Sequence, residues 1–281
     1  MIIWLTGGSS GLGMHTAQQL VKAGHIVVAG ARSFHGDQQP GLFRLPLDVT
    51  DDAGAEAFAE QAMLLAGPPD ALVQCAGILM LGSCEETRVD EYRRILETDF
   101  LGMVRMNSLV LPIMREKGKG RIIMFSSING LLGIPFQSAY TAAKHAVEGY
   151  AECLSMECKP FGIEVCLIEP GDHRSGSDSY RYRSAGMTDA SPYAAEFAKG
   201  TAVIHRDEQG GSDPDKLGRK IAKLLGRRHL PLRKRIASPD QRLAVALHRL
   251  LPGNLNSRIL RSYYLGGKKT EAPAHSEGRN G

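Results

Sequence analysis

Short apolar runs alternate with longer helical patterns through the first 170 residues of this 281-residue chain. The runs are continuous rather than alternating in polarity, as strands covered on both faces require. They occupy residues 2–5, 26–29, 71–73, 122–125 and 165–168, and helical patterns between them occupy 13–23, 51–66, 89–117 and 138–159. Strand and helix at this spacing build right-handed βαβ units. The sequence therefore predicts an α/β fold with a doubly wound parallel sheet.

Composition excludes several other classes of protein. Hydrophobic residues at 43% and charged residues at 23% are typical of a globular chain. No apolar run approaches the roughly 18 residues of a membrane span, and Met1–Leu5 leads into a glycine-rich loop without a basic leader. A cytoplasmic protein is expected. The five cysteines show no zinc-ligand spacing, so we expect reduced thiols and no metal site.

A glycine-rich loop lies between the first strand and the first helix, and it reads Thr6-Gly7-Gly8-Ser9-Ser10-Gly11-Leu12-Gly13. Gly7 permits the turn, Gly11 lets the backbone approach a pyrophosphate, and Gly13 allows close packing of helix on strand. The amides at the helix N-terminus then face the phosphates. This context predicts a Rossmann-like dinucleotide site rather than an ordinary tight turn.

The cofactor expected at that site is NADP(H). Binders of NAD place an acid after the second strand for the ribose 2′-hydroxyl, but here the chain reads Ala29-Gly30-Ala31-Arg32-Ser33. The guanidinium of Arg32 can instead hold a 2′-phosphate with paired hydrogen bonds. The alternative is a solvated surface arginine.

A serine, a tyrosine and a lysine form the candidate catalytic group. Tyr140 and Lys144 lie one helical turn apart on the same face, and Ser127 follows the strand at 122–125. A free tyrosine has a pKa of about 10, and a neighbouring ammonium is expected to lower it toward the range that acid–base catalysis needs. Each residue alone has an ordinary packing or turn role. Together, after the glycine loop, they predict proton transfer.

With these motifs the chain resembles the short-chain dehydrogenases/reductases of the compact, single-domain type, from Met1 to about Ser175. The loop matches the family's Thr-Gly-x-x-x-Gly-x-Gly, and the triplet matches at the family spacing. The resemblance implies hydride transfer between NADP(H) and a secondary alcohol or ketone, or an alcohol and an aldehyde, with Tyr140 as general acid and base. It further implies cofactor contacts by Tyr140, Lys144, Asp48, Val49, Ala76, Gly77, Pro170, Gly171 and Ser175.

Two parts of the chain are similar to the 17β-hydroxysteroid and retinol dehydrogenase group: residues 120–136, and the C-terminal pattern Asp213-Pro214-Asp215-Lys216-Leu217 followed by Leu250-Leu251-Pro252. This likeness implies a hydrophobic alcohol or carbonyl substrate, such as a steroid or retinoid, with Ile134, Phe136 and Met187 as candidate wall residues. The rival interpretations are a small or polyketide-like carbonyl substrate, or a catalytically silent NADP-sensing regulator. The family's pairing through its two long helices implies a homodimer or homotetramer.

Two positions depart from the family pattern. Gln74-Cys75 stands where the family has its Asn before Ala-Gly, so the bracing that this asparagine supplies must come from elsewhere. Asp99 stands where a fourth catalytic Asn is usual. An Asp could present the same main-chain carbonyl, but its carboxylate would lie near Lys144. We expect activity to be retained with an altered pH profile.

Charge divides the chain into an acidic body and a basic end. Residues 213–281 hold 16 Lys/Arg against 5 Asp/Glu. We expect residues 1–212 to form the Rossmann dinucleotide-binding and catalytic domain, with a lid over 171–211 whose helix opens at Ser191-Pro192. A basic helical extension of the same domain follows over 213–268, and 269–281 are expected to be disordered.

The basic extension itself has two interpretations. Leu217, Ile221, Leu224 and Leu225 form an apolar stripe on a helix surrounded by cations. This helix could rest on an anionic membrane as a peripheral contact, or its stripe could pack on the core with a solvated basic face. A further helix is predicted from 239 to 251. No nucleic-acid partner is expected, because interleaved aromatic residues and a binding motif are missing.

Overall fold

A computed structural model describes residues 1–35 and 38–266, without the side chains of 178 and 179. Its main sheet confirms the predicted doubly wound arrangement, since every neighbouring pair of strands is parallel except the short edge pair β3 and β4. In spatial order the strands are β10 (Arg233–Ile236), β8 (Ile163–Pro170), β7 (Gly120–Phe125), β5 (Ala71–Gln74), β1 (Ile2–Thr6), β2 (Ile26–Ala31), β4 (Leu42–Pro46) and β3 (Gln38–Gln39).

Helices cover both faces of this sheet. They are α1 (Gly11–Lys22), α2 (Asp52–Ala66), α3 (Val89–Leu96), α4 (Gly102–Glu116), α5 (Ser138–Glu157), α6 (Ala194–Gln209), α7 (Pro214–Leu225), α8 (Pro239–Leu250) and α9 (Gly253–Leu265). Successive strand residues point to opposite faces. Trp4 therefore joins the core under α2, α4 and α5, whereas Leu5 joins the core under α1 and α7. The result is a single-domain, Rossmann-like fold.

The strand order reverses at β1, which pairs with β2 on one side and with β5 on the other. In open α/β sheets, ligands bind in the crevice beyond the carboxyl ends of the strands at such a reversal. The glycine loop leaves β1 at this point, and residues 75–77 leave β5 beside it. The Gly7 amide donates to the Gly30 carbonyl at the end of β2 (2.9 Å), which fixes the start of the loop.

Two predicted helices differ from the structure. The pattern over 89–117 is helical throughout, but a π-helical turn over Glu97–Leu101 separates α3 from α4. The lid helix begins at Ala194 rather than at Ser191-Pro192, because the Ser191 hydroxyl caps only a local turn by accepting from the Tyr193 amide (3.0 Å). A two-stranded sheet of β6 (Leu79–Leu81) and β9 (Arg181–Arg183) joins the lid to the loop after β5.

The basic extension is part of the core. On α7 the apolar stripe of Leu217, Ile221, Leu224 and Leu225 is buried against α1 and the sheet. Its side chains cannot insert into a bilayer, so the core-packing interpretation describes this helix. β10 then extends the sheet, α8 ends at Leu250, one residue before its predicted end, and α9 was not predicted. The predicted disorder of 269–281 lies outside the described residues. Within them, no helix has the length and apolarity to cross a membrane.

Candidate active site

The glycine loop has the close packing that the sequence predicts. Gly7 has a φ of 75°, and a Cβ there would lie 2.6 Å from the Ala76 amide nitrogen. A Cβ on Gly13 would lie 2.1 Å from the Gly7 carbonyl oxygen. Only glycine fits at both positions, so β1, α1 and the loop after β5 approach closely enough to leave the first amides of α1 facing the crevice.

Gln74 and Asp99 supply the bracing that the missing asparagine would give. Gln74 is buried and donates to the Asn107 side chain on α4 (2.8 Å). The Ile78 amide donates to Asp99 (2.8 Å), and the Ala76 amide donates to the Thr6 hydroxyl (3.3 Å). Thr6 therefore supports the loop from behind and does not line the cavity, contrary to its expected contact with the cofactor.

Ser127 follows β7 at the carboxyl edge of the sheet, where its hydroxyl accepts from the Asn129 amide (3.2 Å) and donates to the Asn129 side chain (3.3 Å). Asn129 in turn donates to Gln137, just before α5 (2.6 Å). This chain of hydrogen bonds ties the serine to the helix that carries the tyrosine. Sequence reasoning did not identify Asn129 or Gln137.

Lys144 lies one turn after Tyr140 on α5 and is buried, with 3% of its surface exposed. Its ammonium donates to the Phe125 carbonyl at the end of β7 (3.0 Å) and lies 3.2 Å from a carboxylate oxygen of Asp99. Its nitrogen is 5.4 Å from the centre of the Tyr140 ring. The π-helical turn carries Asp99 to this position, because it widens the helix toward the site.

The pKa of Tyr140 departs from the sequence expectation. Burial raises the pKa of this phenol and Asp99 raises it further, while the hydrogen bond with Ser127 lowers it. Burial also raises the pKa of Asp99, and Lys144 opposes that effect. The lysine was expected to lower the pKa of Tyr140, but its field at the phenol is opposed by the adjacent carboxylate. We call Lys144 and Asp99, whose charges act on the phenol in opposite directions, the balanced pair.

One cavity joins the glycine loop to the catalytic group. Beside Ser127, Tyr140, Lys144, Asp99 and Ile134, its walls include the predicted cofactor residues Gly7, Ser9, Ser10, Gly11, Leu12, Gly13, Arg32, Asp48, Val49, Ala76, Gly77, Pro170, Gly171 and Ser175. The expected wall residues Phe136 and Met187 do not line it. Both are buried in a cluster behind the wall, where Phe136 packs edge-on against Phe197 with ring centres 5.3 Å apart.

The cavity has an acidic side that the sequence reasoning missed. Asp172 follows Pro170-Gly171, and Asp207 and Glu208 come from the end of α6. Burial raises the pKa of Asp172 to about 7, with Glu208 and Asp207 contributing. Glu208 pairs with Arg181 and Asp207 pairs with Arg206, whereas Asp172 accepts only from the Gln241 amide among the described residues. Position after a strand end was the one available signal for Asp172.

The residues present fit a dinucleotide. Gly7 and Gly13 form a space that any Cβ would fill, which we call the glycine cradle. The α1 amides and Arg32 face the same cavity as the tyrosine and lysine. Phosphate charge is favoured at such a helix N-terminus. The cavity thus has one part suited to the adenine of a nicotinamide cofactor, one to its phosphates and one to its reacting ring.

Comparisons with known proteins agree with this site. Residues 1–183 match the model of the short chain dehydrogenase family, and the chain belongs to that family. It is 38% identical over 264 residues to a 3-ketodihydrosphingosine reductase of Bacteroides thetaiotaomicron, covering 94% of this chain and 97% of the relative.

Solved structures resemble the fold. A short-chain dehydrogenase of Streptomyces avermitilis superposes with a TM-score of 0.76 at 30% identity, covering 93% of this chain and 97% of the other. A 3-ketoacyl-(acyl-carrier-protein) reductase of Brucella melitensis, solved with NADH, has a TM-score of 0.71 at 19% identity over 85% and 98% of the two chains, a likeness of fold alone. The chain is an oxidoreductase of this family, whose structural neighbours bind nicotinamide dinucleotides.

Replacing Asp99 by asparagine tests the balanced pair. Asn can still accept from the Ile78 amide, but the negative charge that raises the pKa of Tyr140 is gone. The pKa of Tyr140 then falls, so the limb of the pH–rate profile set by the phenol moves to lower pH, by about one unit. Profiles of kcat/KM against pH for both reaction directions measure the shift.

The matched control is Glu97→Gln, which removes a carboxylate from the same π-helical turn but one that pairs with Arg105 instead. Its profile should stay where that of the parent lies. An Asp99→Asn variant that folds normally and leaves the profile in place would contradict the balanced-pair interpretation.

Proposed function

We propose that this protein is an NADP(H)-dependent reductase of a hydrophobic ketone, able to run the reverse oxidation of the corresponding alcohol. The observation that carries the proposal is the placement of Ser127, Tyr140 and Lys144 on the wall of the cavity that also contains the glycine cradle. A catalytically silent sensor would have no need of a lysine buried beside the tyrosine. The bound nicotinamide supplies the hydride, and the protein supplies orientation and a proton.

Each member of the catalytic group has a defined task in this proposal. Ser127, held by the Asn129 amide, turns its hydroxyl proton from the Asn129 side chain to the substrate oxygen and fixes the position of that oxygen. The Tyr140 hydroxyl gives its proton to that oxygen during reduction and takes it back during oxidation. Burial raises the pKa of this phenol, so the proton stays on Tyr140 until the substrate oxygen accepts it. Lys144 holds a positive charge beside the ring and reaches toward the cofactor's ribose.

A Tyr140→Phe variant tests the proton transfer. Phenylalanine keeps the ring and the packing of α5 but removes the proton donor, so turnover should fall by roughly 100-fold to 10,000-fold. NADPH binding, followed by its fluorescence, should change little. A variant that turns over as fast as the parent contradicts the assigned role of Tyr140.

Arg32 supports the preference for NADP(H). It lies just beyond the end of β2, exposed at the rim of the cavity, and the chain there reads Ala31-Arg32-Ser33 without the acid that contacts a ribose 2′-hydroxyl. The Asp48 carboxylate nearby accepts from the amide and the hydroxyl of Thr50 (3.0 and 2.8 Å) through one oxygen, Oδ1, which holds it in a local turn. Among the residues that the structure describes, the Arg32 guanidinium forms no ion pair, and it can hold a 2′-phosphate.

Replacing Arg32 by alanine should raise KM for NADPH by about 10-fold to 100-fold, the value of a charge-assisted hydrogen bond. KM for NADH should change little, because that cofactor has no phosphate for Arg32 to contact. Steady-state assays with both cofactors measure the ratio. Arg115→Ala, an exposed arginine on α4, is the control and should leave both values unchanged. Equal losses with NADH and NADPH would contradict the 2′-phosphate assignment.

For the substrate, we propose a long-chain amino ketone in preference to a steroid or retinoid. The relative from Bacteroides thetaiotaomicron is named for 3-ketodihydrosphingosine, which is such an amino ketone. The cavity supports this choice, because Asp172 has no cationic partner among the described residues and Ile134 and Ile204 give an apolar wall. A substrate ammonium would pair with the Asp172 carboxylate, while the alkyl chain would lie on the apolar side.

Reduction of a long-chain 2-amino-3-ketone should be faster than that of the same ketone without the amine, a steroid ketone, a retinal or a short alkyl ketone. The pKa of Asp172 is raised to about 7, so kcat/KM for the amino ketone should rise as pH increases through that value and the carboxylate forms. Asp172→Asn should lower this kcat/KM by about 10-fold to 100-fold and remove the rise. NADPH consumption measures both.

The ketone without the amine is an internal control. The Asp172→Asn variant should convert this ketone to its alcohol at the same rate as the parent enzyme. Asp189→Asn, which removes an exposed lid carboxylate outside the cavity, should alter neither substrate. A loss that is equal for the two ketones would show that Asp172 does not recognise the amine, and a steroid or retinoid used best would overturn the proposed substrate class.

A further inference from the structure

The two C-terminal helices expose an unusual share of apolar surface. Among the described residues, fourteen large apolar side chains are exposed, and six of them lie between residues 243 and 263. On α8 they follow a spacing of i, i+4, i+7, and on α9 a spacing of i, i+4, i+8, so each set shares one helix face. The six are Leu243, Leu247, Leu250, Leu255, Ile259 and Tyr263. We call this set the C-terminal apolar face.

These exposed side chains are additional to the ones that hold the helices in place. Val245 is fully buried on the opposite side of α8, and Leu260 and Tyr264 pack inward from α9. The helices therefore do not need Leu250, which is 80% exposed, for their own docking. Apolar surface left outside a completed core marks an interaction site.

Positive charge adjoins this face on both helices, while acidic residues of α6 lie at its far end, where Tyr263 donates to Asp207 (2.8 Å). Residues 239–265 contain four arginines and a single acid, Asp240. Arg242 and Arg249 lie seven residues apart beside the leucines of α8, and Arg258 lies beside Ile259 on α9. All three are exposed and form no ion pair with the described residues. A partner seated here must accept leucine side chains and cations together, and an anionic lipid surface does both.

A cationic cleft adjoins the start of α8. It lies between α7, β10 and α8, and no acid is found among its described lining residues; the cations that line it are Lys220, Lys223, Arg227, Lys234, Arg235 and Arg242. Of these, Arg235 pairs with the buried Glu169 behind the cleft (2.7 Å). Arg242 belongs both to the cleft and to the edge of the C-terminal apolar face. The positive charge of α7 thus lies next to the exposed apolar side chains of α8, whereas the apolar stripe of α7 itself is buried.

The inner side of the same helices borders the catalytic cavity. Tyr264 of α9 lines that cavity, and Gln241 of α8 donates to the Asp172 carboxylate. A membrane that met the outer side of α8 and α9 would lie one helix thickness from the substrate pocket, roughly 10 Å.

We propose that the C-terminal apolar face and the cationic cleft together bind the surface of an anionic phospholipid bilayer. The leucines of α8 and α9 enter the boundary between headgroups and acyl chains, and the lysines of α7 meet the lipid phosphates. The contact is peripheral and reversible, since six apolar side chains and a few cations are far fewer groups than a spanning helix buries. It does not depend on the proposed reaction.

Vesicle co-sedimentation of the full chain tests this inference. The protein should pellet with vesicles of phosphatidylcholine and phosphatidylglycerol, and much less with phosphatidylcholine alone or in high salt. Leu243→Gln combined with Leu250→Gln should weaken binding at least about tenfold. Lys220→Gln and Lys223→Gln should each weaken it about fivefold, on anionic vesicles only.

Two control variants show whether loss of binding is specific to the proposed lipid site. Leu64→Gln removes an exposed leucine (87%) from α2, and Lys119→Gln removes an exposed lysine that does not line the cleft; both variants should bind like the parent. NADPH binding by every variant reports correct folding, and this readout separates loss of the lipid site from loss of the enzyme.

Two outcomes would overturn the inference. One is absence of binding to anionic vesicles by the parent protein. The other is a parent that forms an oligomer in size-exclusion chromatography with light scattering, while Leu243→Gln with Leu250→Gln is monomeric. In that case the face would be an interface between copies of this chain, and the family-based expectation of a homodimer or homotetramer would involve α8 and α9.

Discussion

The buried ion pair between Lys144 and Asp99 connects the segments of the chain that form the active site. An ammonium taken out of water costs several kcal/mol unless it is paired and hydrogen-bonded. Here Asp99 supplies the charge and the Phe125 carbonyl supplies a second acceptor. Because Asp99 also accepts from the Ile78 amide, the same pair joins α5, the end of β7 and the loop after β5. Loss of either partner would leave an uncompensated charge beneath the cavity.

The pair also determines how the chemistry is tuned. A lone ammonium near a phenol lowers the phenol's pKa, but a carboxylate 3.2 Å from that ammonium cancels most of its field. Tyr140 consequently stays protonated more firmly than an unopposed lysine would allow. At any one pH the ratio of the two kcat/KM values is fixed by the equilibrium of the reaction. The pair therefore changes the pH range in which Tyr140 transfers its proton and leaves the direction of the reaction unchanged.

Much of this could be predicted from the sequence, because the signals are local. Continuous apolar runs predicted the parallel sheet. The spacing of Gly7, Gly13, Tyr140 and Lys144 predicted the residues that line the cavity. The acidic side of the pocket could not be predicted in this way. Asp172 and Glu208 are 36 residues apart and meet only when α6 folds back over the sheet. The π-helical turn was not predicted either, because residues 89–117 are helical throughout and the five π-helical residues continue that helical segment.

The basic C-terminal region shows why periodicity alone does not locate an exposed surface. The stripe on α7 and the stripe on α8 have similar spacing, yet one is buried against α1 and the other is exposed. The two stripes differ because a helix buries its stripe only where the sheet still has apolar surface to cover. α7 together with β10 covers that surface, so none is left for the stripe on α8. Gln241 then gives α8 a second connection, since its side chain bonds the Asp172 carboxyl inside the cavity while Leu243 and Leu247 face outward. One helix therefore borders both the outer surface and the substrate pocket, with Gln241 on its inner side and the leucines on its outer side.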